Sequence, residues 1–257
     1  MAGSTFFAFV SNAAPQTRVR VIESLALELA EAGTIRPVLI NLDPGSNLRL
    51  KAGKPTKDDP VARYGNMMSS SSVPVLKPSE AADFFEDAAK PRNAAMSDGR
   101  PFIALMNEAP PTDFIRLFDA LCFAVTMSPA STAFIYSAVK AMESAGRSIP
   151  VRVMMVGEQH IEKAAEFYVS MAGEFKRIGN GFSELSYAGF MNFDQEETAL
   201  ASQYGITTIE AFPQGSTRGQ AKLAARKLFT QDFSEMNSDW ADRERAFHEY
   251  LRSGKIR

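Results

Sequence analysis

Short apolar runs alternate with longer amphipathic segments along almost the whole chain, and this alternation limits the possible folds more than any other feature. Residues 5–10 and 37–42 are apolar runs of strand length, and a helical pattern between them extends to Ala32, where Gly33 is well placed to end it. The same order of strand and helix continues to residue 229. It predicts an α/β fold with a doubly wound, mostly parallel sheet and helices on both faces.

One region interrupts the alternation. Residues 51–80 are polar and rich in serine and proline, and they lie within a variable region that extends over residues 51–95. Such a composition is typical of loops. We therefore expect a surface loop here, with a short strand around Val73–Leu76.

The C-terminal segment also stands apart, because Trp240, Phe247 and Leu251 recur at near-helical spacing among many charges. It is either a helix docked on the body of the protein or a helix that lies on a membrane surface. Its acidic residues favour docking, since anionic lipid would repel them. We predict one domain over residues 1–235 and a helical tail over residues 236–257.

The composition excludes several classes of protein. The net charge of −2 on 257 residues provides no global basic field for nucleic acid or anionic lipid. The only cysteine, Cys122, lies in an apolar run, so we expect a buried, inert thiol, and two histidines make a His-rich metal site improbable. No apolar run has the length of a membrane span, and no signal peptide is recognised. We expect a cytoplasmic protein without a metal or other cofactor.

Two motifs near the N-terminus connect the chain with a known family. Residues 25–33 read LALELAEAG, and residues 41–48 read NLDPGSNL. Both resemble the signature of MinD/ParA-type P-loop ATPases, in which a strand and a K-G-G-x-G-K-[ST] loop precede a helix ending in L-A-L-x-L-A-E-x-G and a strand ending in D-x-D-P. Three later segments resemble the family too, particularly its MinD-like flagellar-number branch: residues 125–132, 187–190 and 212–228. The resemblance implies a P-loop NTPase-like fold over most of residues 5–230.

The phosphate-binding loop that the resemblance implies, between Asn12 and Val19, is altered at nearly every position. The family's residues correspond to this chain as follows: the first lysine to Ala13, the glycines to Ala14, Pro15 and Thr17, the variable position to Gln16, the P-loop lysine to Arg18 and the magnesium-binding hydroxyl to Val19. Pro15 has no backbone N–H to offer a phosphate, and Val19 has no oxygen for magnesium. Arg18 keeps a positive charge, but its planar fork is no simple substitute for an ammonium group.

The strand exits depart from the family as well. Asn41 stands where the resemblance implies the aspartate that orients the attacking water, and Asp43 follows it in the same motif. At the second acidic strand end, either Asn107 or Glu108 occupies the position linked to magnesium. Val156-Gly157-Glu158 replaces the asparagine that reads adenine. We interpret the site as a vestigial nucleotide site without catalytic residues.

These departures favour a catalytically inactive relative, a pseudo-ATPase that serves as an adaptor or scaffold. Family members position bacterial cell-envelope, pilus, flagellar, secretion or partition machinery, so the resemblance implies a protein partner, which could be a second copy or an active relative. Recruitment to the inner face of the membrane through that partner is compatible with this.

Three alternatives stay open at this point. A divergent ATPase could still bind nucleotide through Arg18, Thr17 and Gln16. A kinase-like partner of polysaccharide export shares the fold but carries a tyrosine-rich tail, where this chain has only Tyr250. A DNA-binding partition protein would use the basic helix face made of Arg218, Lys222, Arg226 and Lys227, although such spacing is more often a solvated surface, so nucleic acid is not the expected partner.

Overall fold

The computed structural model describes residues 5–32, 36–52, 59–68, 73–90, 99–146, 148–157, 160–178, 185–229 and 240–253, with the backbone only at 240–241. The strands of this part of the chain are β1 (Thr5–Ser11), β2 (Val38–Asn41), β3 (Leu50–Ala52), β4 (Asn66–Met68), β5 (Pro74–Leu76), β6 (Pro101–Met106), β7 (Ala120–Val125), β8 (Val151–Val156) and β9 (Leu185–Met191). The α-helices are α1 (Pro15–Glu31), α2 (Pro78–Ala88), α3 (Thr112–Ile115), α4 (Pro129–Ser144), α5 (Ile161–Ile178), α6 (Gln195–Gln203), α7 (Thr208–Ala211), α8 (Ser216–Phe229) and α9 (Trp240–Arg252).

The strands form one sheet in the order β3-β4-β5-β2-β6-β1-β7-β8-β9. All pairs from β5 to β9 are parallel, and only the β3–β4 and β4–β5 pairs are antiparallel. The chain moves from β1 towards β2 and β5 on one side, and from β7 to β9 on the other. The prediction of a doubly wound, mostly parallel sheet is confirmed.

The region predicted as a surface loop contains more regular structure than expected. Strands β3 and β4 pair with Leu50 opposite Met68, and a short 3-10 helix (Pro60–Arg63) precedes β4. The prediction of an irregular loop is therefore wrong for these residues. Met67 and Met68 are both buried, although three-residue strands are too short to show a two-residue period. The serine run 69–72 lies outside the described residues, while β5 matches the predicted short strand.

Two apolar layers cover the two faces of the sheet. Helices α1, α7 and α8 pack on one face, and α2, α3, α4, α5 and α9 pack on the other. The strands of the sheet centre are buried along nearly their whole length, which explains why β1 and β7 read as largely continuous apolar runs. Cys122 lies in this interior, where burial raises the pKa of its thiol to about 12, in agreement with the interpretation of an inert thiol.

Helix α9 docks on the body through its apolar face. Phe247 is completely buried, and its ring centroid lies 5.0 Å from that of Phe6 and 5.0 Å from that of Phe114. Arg243 pairs with Asp119, and Arg252 pairs with Asp83 of α2 at 2.9 Å. Phe247, Tyr250 and Leu251 of α9 are therefore buried against protein, which contradicts a membrane-surface helix. Within the described part of the chain, no helix is long and apolar enough to cross a membrane.

The boundary at residue 235 between the predicted domain and its tail stays a prediction. Residues 230–239 lie outside the described part of the chain. The same holds for Gly33, which was predicted to end the first helix, although α1 ends at Glu31, close to that point.

Candidate functional site

The loop between β1 and α1 lies at the edge of the sheet where the parallel strands end. Strand β1 is flanked by β6 and β7, so this loop occupies the crevice in which open α/β sheets bind ligands. Side chains tether it to its neighbours. The Ser11 hydroxyl donates to the Ala124 carbonyl at 2.6 Å and accepts from the Ala13 N–H at 3.2 Å. The Asn12 amide donates to the Ser131 hydroxyl of α4 at 2.9 Å.

Arg18 fills the interior of this loop. It is 6% exposed, and its Nε lies 2.7 Å from Oδ2 of Asp43, which is 1% exposed. One terminal nitrogen of the guanidinium donates to the Ser11 carbonyl at 3.3 Å and to the Ala13 carbonyl at 3.0 Å. The guanidinium thus contacts the loop's carbonyl oxygens and a carboxylate, whereas a phosphate cradle requires inward-pointing N–H groups.

The exit of β2 is held by two side chains of the D-x-D-P-like motif. The Asn41 side-chain oxygen accepts from the Asp43 N–H at 3.2 Å and from the Ser46 hydroxyl at 2.8 Å. The second oxygen of Asp43 accepts from the Gly45 N–H at 3.0 Å. Both side chains close a local turn in this way, and Asp43 also joins the turn to Arg18.

The other predicted nucleotide residues surround these two. Ala14, Pro15 and Gln16 are exposed at the start of α1, Thr17 is half-buried and Val19 is buried. Ala14, as N-cap, makes no side-chain cap hydrogen bond.

Asn107 and Glu108 directly follow β6, the strand between β1 and β2, so they reach the same edge of the sheet. Asn107 is half-buried and Glu108 is exposed. Glu158, which stands near the family's adenine-reading position, lies outside the described residues.

A cavity of about 660 Å³ opens beside the β2 exit. Asn41 and Asp43 line it on one side, Lys77 at the start of α2 on another, and Arg252 at the end of α9 on a third. Arg252 is held by Asp83 and, at 2.7 Å, by Glu86. Sequence reasoning missed the contribution of Arg252 to this cavity. Helix α9 is some 200 residues away from β2, and no local pattern indicates which helix lines the cavity.

The basic residues of α8 do not act as one surface. Arg218 pairs with Glu28 of α1 at 2.8 Å and also with Glu31, so its charge is compensated. Lys222, Arg226 and Lys227 are exposed on the same helix. The predicted basic face therefore has three side chains that face solvent, and Arg218 serves as a link between α8 and α1.

No cluster of three metal-binding side chains is found in the described parts of the chain. At Val19, where the resemblance implies a magnesium ligand, the side chain is apolar. The site as described is an interior ion pair surrounded by a hydrogen-bonded loop.

Solved structures with the same architecture belong to MinD and ParA ATPases. MinD from Aquifex aeolicus is 12% identical with a TM-score of 0.59, covering 89% of this chain and 98% of that one. A ParA family ATPase from Chlorobium tepidum is 12% identical with a TM-score of 0.58, covering 87% and 98%. A chain of the A. aeolicus MinC:MinD cell division protein complex is 10% identical with a TM-score of 0.60, covering 89% of this chain and 96% of that one. No family model and no curated protein sequence matches the chain.

Proposed function

We propose, on the premise that the chain has the fold of MinD and ParA ATPases, that it is a pseudo-ATPase. In this proposal it binds no magnesium–nucleotide complex in its β1–α1 loop, and it acts as an adaptor or scaffold in a bacterial positioning or assembly system. The observation that carries the proposal is the buried ion pair between Arg18 and Asp43.

The ion pair supports this function in two ways. Arg18 already fills the loop, and the groups that Arg18 contacts would repel a phosphate. A nucleotide phosphate in the loop would have to displace a guanidinium that is bonded to Asp43 and to two carbonyl oxygens. The displaced carboxylate and carbonyls would then face an anion, which they repel. Because charge-assisted hydrogen bonds are the strong ones, the loop favours its own arginine over a phosphate.

The surroundings lack the remaining parts of phosphoryl transfer. That reaction depends on positioned cations and on a residue that orients the nucleophile. Val19 offers magnesium no oxygen, and the Asn41 side-chain oxygen is engaged in the turn after β2. The residues present do not fit a magnesium nucleotide, so we propose no hydrolysis by this chain.

An adaptor role draws support from the structural neighbours. MinD has been solved in a cell division protein complex with MinC, so the fold can present a protein-binding surface. We propose that the present chain likewise binds a protein partner, which could be a second copy or an active relative. It would act in the cytoplasm and reach the inner face of the membrane only through that partner.

A thermal titration tests the loss of the nucleotide site. The melting temperature in saturating ATP should be the same with and without magnesium, and no phosphate release above the blank should be measured. A functional site with [L] at 100 Kd would gain about 2.7 kcal/mol, or roughly 5 °C for a chain of this size. The matched variant Val19→Thr should behave identically, because Arg18 still fills the loop. A magnesium-dependent rise of several degrees would contradict the proposal.

A localisation experiment tests the adaptor role. A fluorescent fusion of the chain, produced in its native cell, should concentrate at discrete positions and should co-purify with a fixed partner. Deleting the gene of that partner should make the fluorescence uniform while the amount of fusion protein stays the same. Uniform fluorescence in the unmodified cell, with no partner recovered, is the result that rejects an adaptor.

A further inference from the structure

A second cationic site lies on the opposite side of α1 from Arg18. Successive helical residues are rotated by about 100°, so Arg20 points roughly 200° away from Arg18. Arg20 and Arg49 line the same hollow of about 240 Å³, together with Gln16, Asn47 and Ser202. Two arginines therefore border one small space beside the first turn of α1.

Arg49 is fixed in place from several directions. Its backbone N–H donates to Oε1 of Glu23 at 2.9 Å, and its guanidinium lies 3.5 Å from Oε2 of the same residue. The guanidinium also donates to the Ile206 carbonyl. Glu23 is completely buried, and burial raises the pKa of its carboxyl group. Oε1 of this carboxyl group accepts from the Arg49 backbone, whereas Oε2 lies beside the Arg49 guanidinium without a hydrogen bond.

Arg20 has no comparable anchor. Within the described part of the chain, its guanidinium makes no hydrogen bond or ion pair within normal distance, although the carboxylate of Glu23 attracts it. Burial lowers the pKa of its guanidinium, and the positive charge of Arg49 lowers it further. Glu210, the other carboxylate near Glu23, accepts hydrogen bonds from the N–H and hydroxyl of Thr207 at the start of α7. The two arginines thus repel each other, with one buried carboxylate to compensate them.

We propose that this hollow, between Arg20 and Arg49, binds a phosphate group. An oxyanion between the two guanidinium groups would accept paired hydrogen bonds from each and would relieve their repulsion. The positive end of the α1 dipole adds to the attraction. The hollow is smaller than the 300–1,000 Å³ typical of pockets for drug-sized ligands, so it accepts a phosphate or pyrophosphate group and not a whole nucleotide.

Binding is measured with sodium pyrophosphate and, separately, inorganic phosphate, in magnesium-free buffer of constant ionic strength. Saturating pyrophosphate should raise the melting temperature of the full chain by about 5 °C. Calorimetric titration should give a Kd at least about tenfold weaker for Arg20→Gln, since a hydrogen-bonded charge pair contributes roughly 1.4 kcal/mol or more. Arg20→Lys should retain part of the affinity. Sodium chloride at the same ionic strength is the control for non-specific screening.

The matched control is Arg116→Gln, which removes the same charge from an exposed position after α3, beyond the opposite face of the sheet. It should bind pyrophosphate like the unaltered protein. Equal melting temperatures of R20Q and R116Q without ligand show that both variants are folded. Equal stabilisation of R20Q and R116Q by pyrophosphate overturns the proposed site, and so does a lack of any phosphate effect on the unaltered chain.

The outcome also separates this site from the proposed loss of the nucleotide site. In one outcome, ATP stabilises the protein without magnesium, pyrophosphate has the same effect, and R20Q loses both effects. This outcome supports the Arg20–Arg49 site and leaves the pseudo-ATPase proposal intact. In another outcome, ATP stabilises the protein only with magnesium, R20Q keeps this effect, and pyrophosphate has none. This outcome overturns both the Arg20–Arg49 site and the pseudo-ATPase proposal. A response to free phosphate equal to that of pyrophosphate identifies a single phosphate group as the ligand.

Discussion

Asp43→Ala should lower the free energy of unfolding by about 3–5 kcal/mol, because it leaves the buried Arg18 guanidinium without its carboxylate. The substitution also removes the hydrogen bond that the Gly45 N–H donates to Asp43 at 3.0 Å. Urea unfolding followed by circular dichroism measures the loss as a lower midpoint at unchanged slope. The expected effect is large because both partners are almost completely buried. An unpaired charge is costly in the protein interior.

A double variant shows whether the effect belongs to the pair. Replacing Arg18 by methionine as well, to give R18M/D43A, removes the unpaired charge and keeps most of the side-chain volume. It should regain most of the lost stability, so the two substitutions should be strongly non-additive. A loss below about 1 kcal/mol in D43A, or simple additivity in the double variant, would show that the ion pair does not hold the loop closed.

Phe247→Ala should lower the free energy of unfolding by about 3–5 kcal/mol, the usual cost of emptying a buried phenylalanine site. Phe247 contacts rings from β1, α2 and α3, so the cavity would lie where several elements meet. The control is Val169→Ala on α5, where the side chain is 67% exposed and the change should stay within about 0.5 kcal/mol.

The only tryptophan of the chain, Trp240, belongs to α9 and reports on this helix. Its fluorescence and the circular dichroism signal should change at the same urea concentration if α9 unfolds together with the sheet. A fluorescence change well below the main transition, with the stability of F247A unaltered, would instead identify the tail as an independent unit.

The fold could be predicted because its main elements are long enough to show their period. The apolar run over residues 5–10 is strand β1 (Thr5–Ser11), and the helical pattern that extends to Ala32 is helix α1 (Pro15–Glu31). Strands β3 and β4 have three residues each, so neither apolar alternation nor turn chemistry distinguishes them from a loop. Their pairing depends on contacts with β5, which a local pattern does not contain.

The candidate site was predictable only in part. The resemblance brings Arg18 and Asp43 into one site, since it aligns both with motif positions of the family. It does not indicate that the two side chains bond to each other, because that contact depends on where the β2 exit lies relative to α1. The convergence of Arg20 with Arg49 was missed for the same reason: the two residues are 29 positions apart and neither belongs to a recognised motif.

The antiparallel hairpin at the outer end of the sheet limits how copies of this protein can associate. Among the described residues, its outermost strand, β3, offers three residues for pairing, and one of them is the exposed Lys51. Short, charged edges of this kind disfavour the addition of a foreign strand. Assembly through continued β-sheet growth is therefore disfavoured on this side, and we expect a higher-order complex built from that flank to use side-chain surfaces in place of main-chain pairing.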